Sequence, residues 1–290
     1  MKNKLFKGIA TALVTPFNSN NEIDFLCLKE LIDFQIKNGI SAIVLAGTTG
    51  EAPALSFDEY SALIAYGNEY IDKRVPLIAG SGSNNTDTAI KYSLEAQKRG
   101  ANALLVVTPY YNKTTQEGIL NYYKTIASYV TVPIIVYNVP SRTGLEINSK
   151  TYTEISTIRL ISGVKEASDE IHNYYDKFYG KDLAIYCGND NLFLPYLSLG
   201  ADGIISVVSN IFPQKMKEIY DSFTAGDIKR ALRIYQSIAP IIQTLTKETN
   251  PIPIKKALSL IGFKAGDPRP PLMPCTRETE HLLSQLVPYV

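Results

Sequence analysis

The chain is short of the residues that mark several common chemistries. Its three cysteines, Cys27, Cys187 and Cys275, are far apart and odd in number, so no disulfide framework is expected and a reducing, cytoplasmic compartment fits better. The two histidines, His172 and His281, lack partners at zinc-ligand spacing, and no metal is expected. Neither G-x-S-x-G nor a P-loop sequence occurs, which removes the usual local support for a hydrolase or a nucleotidase. Charge of one sign is also lacking. With 29 basic against 28 acidic residues and no long basic run, no nucleic-acid partner is expected. No stretch approaches the roughly 20 apolar residues of a membrane span. The apolar run from Gly8 to Val14 follows Lys2 and Lys4 much as in a short signal peptide. It leads directly into Thr15-Pro16-Phe17-Asn18, however, and reads better as a first strand.

What is present is globular: 290 residues, 45% hydrophobic and 20% charged. Short β-rich runs recur at Ile9–Thr15, Ala42–Ala46, Val75–Ala79, Ala103–Thr108, Pro133–Asn138, Ile161–Lys165, Leu183–Cys187 and Gly203–Val208. Most are separated by helix-like segments, among them Asp24–Asn38, Phe57–Ile71, Asn85–Arg99 and Thr115–Tyr129. The strands are almost wholly apolar rather than alternating, as expected of a parallel sheet covered by helices. Lys37-Asn38-Gly39 and Lys98-Arg99-Gly100 supply helix ends before the next strand.

Eight such units predict an α/β fold, a (β/α)8 TIM barrel, over residues 1–224. An open doubly wound sheet competes, but Gly80-Ser81-Gly82-Ser83-Asn84-Asn85 lacks the third glycine of a dinucleotide fingerprint. That stretch reads as a βα turn capped by serine or asparagine. Beyond the eighth strand Phe212–Phe223, Ile228–Lys247, Ile254–Ile261 and Glu278–Leu286 read as helices. Residues 225–290 are therefore expected to form a small C-terminal helical segment.

Lys165 ends the sixth strand, and strand ends in a barrel face the loops where chemistry is assembled. An amine held there among apolar neighbours can form an iminium with a ketone and acidify the adjacent carbon. The alternative is a lysine that reaches solvent or pairs with Glu166. Tyr137 ends the preceding strand and could pass protons, or simply pack. Arg142 follows in a loop from which it could clamp a carboxylate, although a surface arginine is the ordinary reading. Gly47-Thr48-Thr49-Gly50-Glu51 offers a tight turn with hydroxyls and backbone amides, and Thr108-Pro109-Tyr110-Tyr111-Asn112 adds aromatic hydroxyls to the same barrel face. Asp190 could bind Mg²⁺ but reads first as a helix cap.

Taken together, these motifs resemble the 4-hydroxy-tetrahydrodipicolinate synthase (dihydrodipicolinate synthase) family of the pyruvate-dependent class I lyase superfamily. The resemblance covers essentially the full chain. It rests on Gly47–Glu51, Pro109–Asn112, Tyr137–Gly144, Gly163–Ala167, Gly188–Asp190, Gly203–Val207 and Asn250-Pro251-Ile252-Pro253. It implies condensation of pyruvate with L-aspartate 4-semialdehyde, the entry step of lysine and diaminopimelate synthesis, with no cofactor.

Lys165 is then the Schiff-base lysine and Tyr137 the proton relay, with Thr48 beside it. Tyr111 would be lent to a neighbouring subunit. Thr49 and the backbone around Ile205 would hold the pyruvate carboxylate, Arg142 the carboxylate of the aldehyde, and Gly188 would keep space near the pyruvate. A homotetramer of tight dimers is implied. N-acetylneuraminate lyases and 2-keto-3-deoxy sugar-acid aldolases share the barrel and the lysine, but Arg142-Thr143-Gly144 favours the synthase. A non-catalytic small-molecule-binding barrel is the alternative of another class. Asn84 and Tyr110 would be vestiges of a lysine-inhibition site. Phe57, Tyr60 and Thr88 stand where inhibited relatives carry polar, histidine or acidic ligands, so weak or absent lysine inhibition is expected.

Overall fold

Strands that are apolar on both faces need cover on both, and the chain supplies it by closing the sheet on itself and ringing it with helices. The computed structural model describes residues 4–287. Residues 1–3 of the predicted N-terminal segment and 288–290 of the predicted C-terminal segment lie outside the described residues.

The elements run β1 (Gly8–Ala12), α1 (Phe25–Lys37), β2 (Ala42–Leu45), α2 (Phe57–Ile71), β3 (Leu77–Gly80), α3 (Thr86–Lys98), β4 (Ala103–Val107) and α4 (Gln116–Tyr129). They continue through β5 (Ile134–Asn138), α5 (Pro140–Thr143), α6 (Ser149–Ser156), β6 (Ile161–Glu166), α7 (Tyr174–Phe178), β7 (Ala184–Cys187), α8 (Phe193–Ser198) and β8 (Gly203–Ser206). Four further helices follow: α9 (Pro213–Thr224), α10 (Ile228–Leu245), α11 (Ile252–Leu260) and α12 (Arg277–Leu286). All eight strands are parallel and close in sequence order, β8 pairing with β1. At that seam Gly8 opposes Gly203, and a Cβ on Gly203 would stand 1.9 Å from the Gly8 carbonyl oxygen, so only glycine permits closure there.

Alternation along each strand sorts side chains between two cores. Ala10, Val44, Ile78, Leu105, Ile135, Tyr137 and Ile205 fill the barrel, while Ile9, Ile43, Leu104, Val136, Val164 and Ile204 pack outward under the helices. Phe6 plugs the N-terminal end of the barrel by stacking on Tyr186, ring centroids 4.1 Å apart.

Several predicted boundaries correspond to visible caps. Ser56 and Glu59 form a reciprocal capping box on α2, and Asn85 accepts from the Thr88 N–H to cap α3. Gly39 and Gly100, with φ of +78° and +95°, turn the chain after α1 and α3. The first strand stops at Ala12 rather than Thr15, and β8 stops at Ser206 rather than Val208. Leu13 and Val14 after β1 and Val208 after β8 remain buried in the rim of the barrel, with Val207 partly buried, so apolarity there no longer reports strand.

Candidate active site

The C-terminal ends of the strands carry the residues that could do chemistry. The β5–β6 register sets Tyr137 opposite Lys165 and Asn138 opposite Glu166. Tyr137 and Lys165 both point into the barrel. Each is nearly buried, at 7% and 5% exposure, and Lys165 Nζ lies 4.4 Å from the Tyr137 ring centroid, a cation–π distance.

Glu166, one residue on, necessarily points the other way. Its carboxylate accepts from Tyr152 Oη at 2.8 Å, Asn138 Nδ2 at 2.8 Å and the Ser168 N–H at 3.0 Å. Burial raises its pKa, opposed by Lys177 and these donors. The strand pleat therefore separates Lys165 from its sequence neighbour, and the reading of Lys165 as a solvent-facing or Glu166-paired residue does not hold.

A cleft of about 460 Å³ opens beside Tyr137. Its walls include Thr48, Tyr110, Tyr111, Arg142 and Thr143, together with Ser83, Thr88 and Tyr92. The loop after β2 reaches it because Gly80 leaves room: a Cβ there would stand 2.0 Å from the Ala46 carbonyl oxygen. Arg142 is exposed at the rim and donates from Nη2 to the Asn250 carbonyl at 3.2 Å. Tyr111 is 90% exposed with φ +68°, a left-handed conformation that is costly for so bulky a residue.

Thr49 is buried behind the cleft and accepts a hydrogen bond from Asn250 Nδ2 at 3.0 Å. Ile205 lies on the inner face of the barrel with Tyr137. Gly188 faces the end of β6, where an added Cβ would come within 2.6 Å of Ala167 Cβ and 2.9 Å of the Glu166 carbonyl oxygen. The space it preserves thus belongs to the strand end just after Lys165. Asn84 is not among the cleft walls and gives its carbonyl to Asn112 Nδ2 at 2.9 Å.

One expectation needs correction. Asp190 does not cap its own helix. It accepts from Ser206 Oγ at 2.6 Å and from the N–H groups of Val207 and Val208 at 3.0 and 2.9 Å, bracing the turn after β8 beside Ile205. Tyr60, at a position where inhibited relatives carry a ligand, is wholly buried against Tyr92, in keeping with the weak or absent lysine inhibition expected. Phe57 packs edge-on to Tyr92, with Lys91 Nζ 3.9 Å from its ring centroid.

Residue-by-residue reasoning missed the support behind the hydroxyl loop. Glu51, which closes the Gly47–Glu51 motif, forms a buried ion pair with Lys255 on α11 at 2.6 Å and accepts from the Arg269 N–H at 2.8 Å. Asn250, just before α11, touches both Thr49 and Arg142. A glutamate ending an otherwise small-residue loop, and an asparagine set before a proline, were the available signals.

Among the described residues no three His, Cys, Asp or Glu side chains group so as to hold a metal ion, and no helix is long and apolar enough to cross a membrane. Residues 5–289 match the model of the dihydrodipicolinate synthetase family. A 4-hydroxy-tetrahydrodipicolinate synthase from Thermoanaerobacter sp. (strain X514) is 45% identical over 98% of this chain and 97% of its own length. The crystal structure of dihydrodipicolinate synthase from Thermotoga maritima superposes with a TM-score of 0.95 at 38% identity, covering 98% of each chain. The corresponding enzyme from Cyanidioschyzon merolae, solved with lysine bound, superposes with a TM-score of 0.96 at 34% identity over 99% of each chain.

Proposed function

Because the chain belongs to the dihydrodipicolinate synthetase family, we infer that it catalyses the 4-hydroxy-tetrahydrodipicolinate synthase reaction. Pyruvate condenses with L-aspartate 4-semialdehyde through a lysine Schiff base, the first committed step of diaminopimelate and lysine synthesis. The observation that carries the assignment of the lysine is the nearly buried Lys165 lying against Tyr137 at the C-terminal end of the barrel.

Lys165 Nζ adds to the ketone carbon of pyruvate, and loss of water from the carbinolamine gives an imine. Loss of a proton from the methyl carbon turns the imine into an enamine, whose carbon attacks the aldehyde carbonyl. The amino group of the second substrate then displaces Lys165, closing the ring and releasing product and free enzyme. The lysine supplies the electron sink, so these steps call for neither metal nor organic cofactor. Tyr137 relays the protons of carbinolamine formation and collapse, with Thr48 beside it in the cleft wall. Thr49 and the backbone at Ile205 hold the pyruvate carboxylate, and Gly188 keeps the adjoining strand ends close. Arg142, exposed at the rim, receives the carboxylate of the semialdehyde.

Tyr111 completes the hydroxyl set from a neighbouring subunit. Its 90% exposure and left-handed backbone support that reading, because a bulky apolar ring held outward in a costly conformation needs a partner surface. The assembly is a homotetramer of tight dimers in the cytoplasm, with residues 1–224 as the catalytic barrel and 225–290 as a helical addition that braces the loop after β2. Tyr110 and Asn84 are remnants of an inhibitor site.

Pyruvate-dependent turnover of L-aspartate 4-semialdehyde, read through a coupled tetrahydrodipicolinate reductase, tests the reaction. Absence of turnover with a verified coupling enzyme would move the assignment to a sialic-acid or sugar-acid lyase on the same barrel.

A further inference from the structure

Thr49 lies in the loop after β2 and Arg142 in the short helix α5 after β5, yet one residue from far along the chain holds both. Asn250 Nδ2 donates to Thr49 Oγ1 at 3.0 Å, and the Asn250 carbonyl accepts from Arg142 Nη2 at 3.2 Å. A threonine hydroxyl has a single proton and two acceptor lone pairs. The Asn250 amide occupies an acceptor position on the buried Thr49, so the proton must point elsewhere. Among the described residues no hydrogen bond gives that proton a protein acceptor.

The rest of the Asn250 amide is left in an unusual state: Oδ1 is buried without a partner. A buried orphan acceptor is costly and calls for a reason. The support beneath Asn250 is rigid, since α11 begins two residues later and its Lys255 is paired with Glu51 on the same loop as Thr49.

We propose that Asn250 is a positioning residue that sets the Thr49 hydroxyl as a hydrogen-bond donor to the pyruvate carboxylate, serving the first half-reaction and not the second. The proposal rests on the reading of Thr49 as a pyruvate-binding residue. Asn250→Ala removes the orienting donor but keeps the backbone carbonyl that holds Arg142. In a ping-pong scheme kcat/KM for each substrate reports its own half-reaction, which separates the two effects.

Asn250→Ala lowers kcat/KM for pyruvate by about tenfold, the value of one hydrogen bond to a charged group, and leaves kcat/KM for the semialdehyde within about twofold. Thr49→Val lowers kcat/KM for pyruvate as well, and adding Asn250→Ala to it costs nothing more, because the asparagine acts through the hydroxyl. Asn250→Asp, close to isosteric, keeps the shape should the alanine variant fold poorly. Its carboxylate captures the Thr49 proton and repels the substrate carboxylate, so its loss exceeds that of alanine and narrows as the pH is lowered.

Equal losses in both half-reactions, full additivity with Thr49→Val, or an aspartate variant as active as wild type overturns the proposal. A Thr49→Val variant with unchanged kcat/KM for pyruvate instead overturns the carboxylate reading itself, and the proposal with it.

Discussion

Lys255→Met should be among the most damaging substitutions away from the reacting groups. Lys255 Nζ lies 2.6 Å from Glu51 Oε1, with side-chain exposures of 1% and 2%. It also donates to the Asp267 carbonyl at 3.2 Å and stands 4.1 Å from the Phe17 ring centroid. Burial lowers the pKa of the lysine, and the Glu51 charge opposes that shift, so Lys255 depends on Glu51 for its charged state.

Methionine preserves the length of the stem over Phe17 but leaves Glu51 buried with, among the described residues, a single remaining donor, the Arg269 N–H. Stranding one partner of a buried pair costs about 3–5 kcal/mol. At about 2–4 °C per kcal/mol for a large domain, Tm should fall by about 10 °C. Differential scanning calorimetry reads this directly, and adding Glu51→Gln should recover most of the loss by removing the stranded charge. A single variant that melts within about 2 °C of wild type would refute the reasoning, as would a double variant worse than the single.

Three further outcomes are expected. Tyr137→Phe should lower kcat by about a hundredfold or more, because ring packing over Lys165 survives while the relaying hydroxyl is lost; a variant near wild-type rate would remove Tyr137 from the chemistry. Glu59 is held at a pKa of about 2, chiefly by its hydrogen bond to Arg269. A carboxylate depressed in the folded state stabilises above its unfolded pKa of about 4.3 and loses that contribution as pH falls towards 2, so Glu59→Gln should flatten the acid limb of a Tm-against-pH curve, and an unchanged limb would contradict this. L-lysine should inhibit weakly or not at all, because among the described residues no carboxylate lines the cleft and Lys91 already covers Phe57; potent inhibition in a titration would contradict that.

The sequence carried the barrel because parallel strands buried on both faces read as uninterrupted apolar runs, and the long helices between them announce their caps, as at Ser56 and Asn85. The short helices α6, α7 and α8, of 8, 5 and 6 residues, offer too few turns for a period to show. Lys165 and Tyr137 could be paired from their places at the ends of adjacent strands, because a strand end fixes where a side chain emerges. Asp190 was misread for the opposite reason: its partners Ser206, Val207 and Val208 lie 16 to 18 residues on, across a strand boundary that local capping rules ignore. Asn250 and Lys255 were hidden more deeply. Their partners Thr49 and Glu51 are about two hundred residues away in sequence, and only the folded chain brings the two ends of that support together.

The most direct test of the account is to treat the protein with pyruvate and borohydride and map the adduct by peptide mass spectrometry. The account predicts one reduced pyruvate, carried by the peptide containing Lys165 and absent from Lys165→Ala. An adduct on any other lysine, or none where pyruvate demonstrably binds, would contradict it.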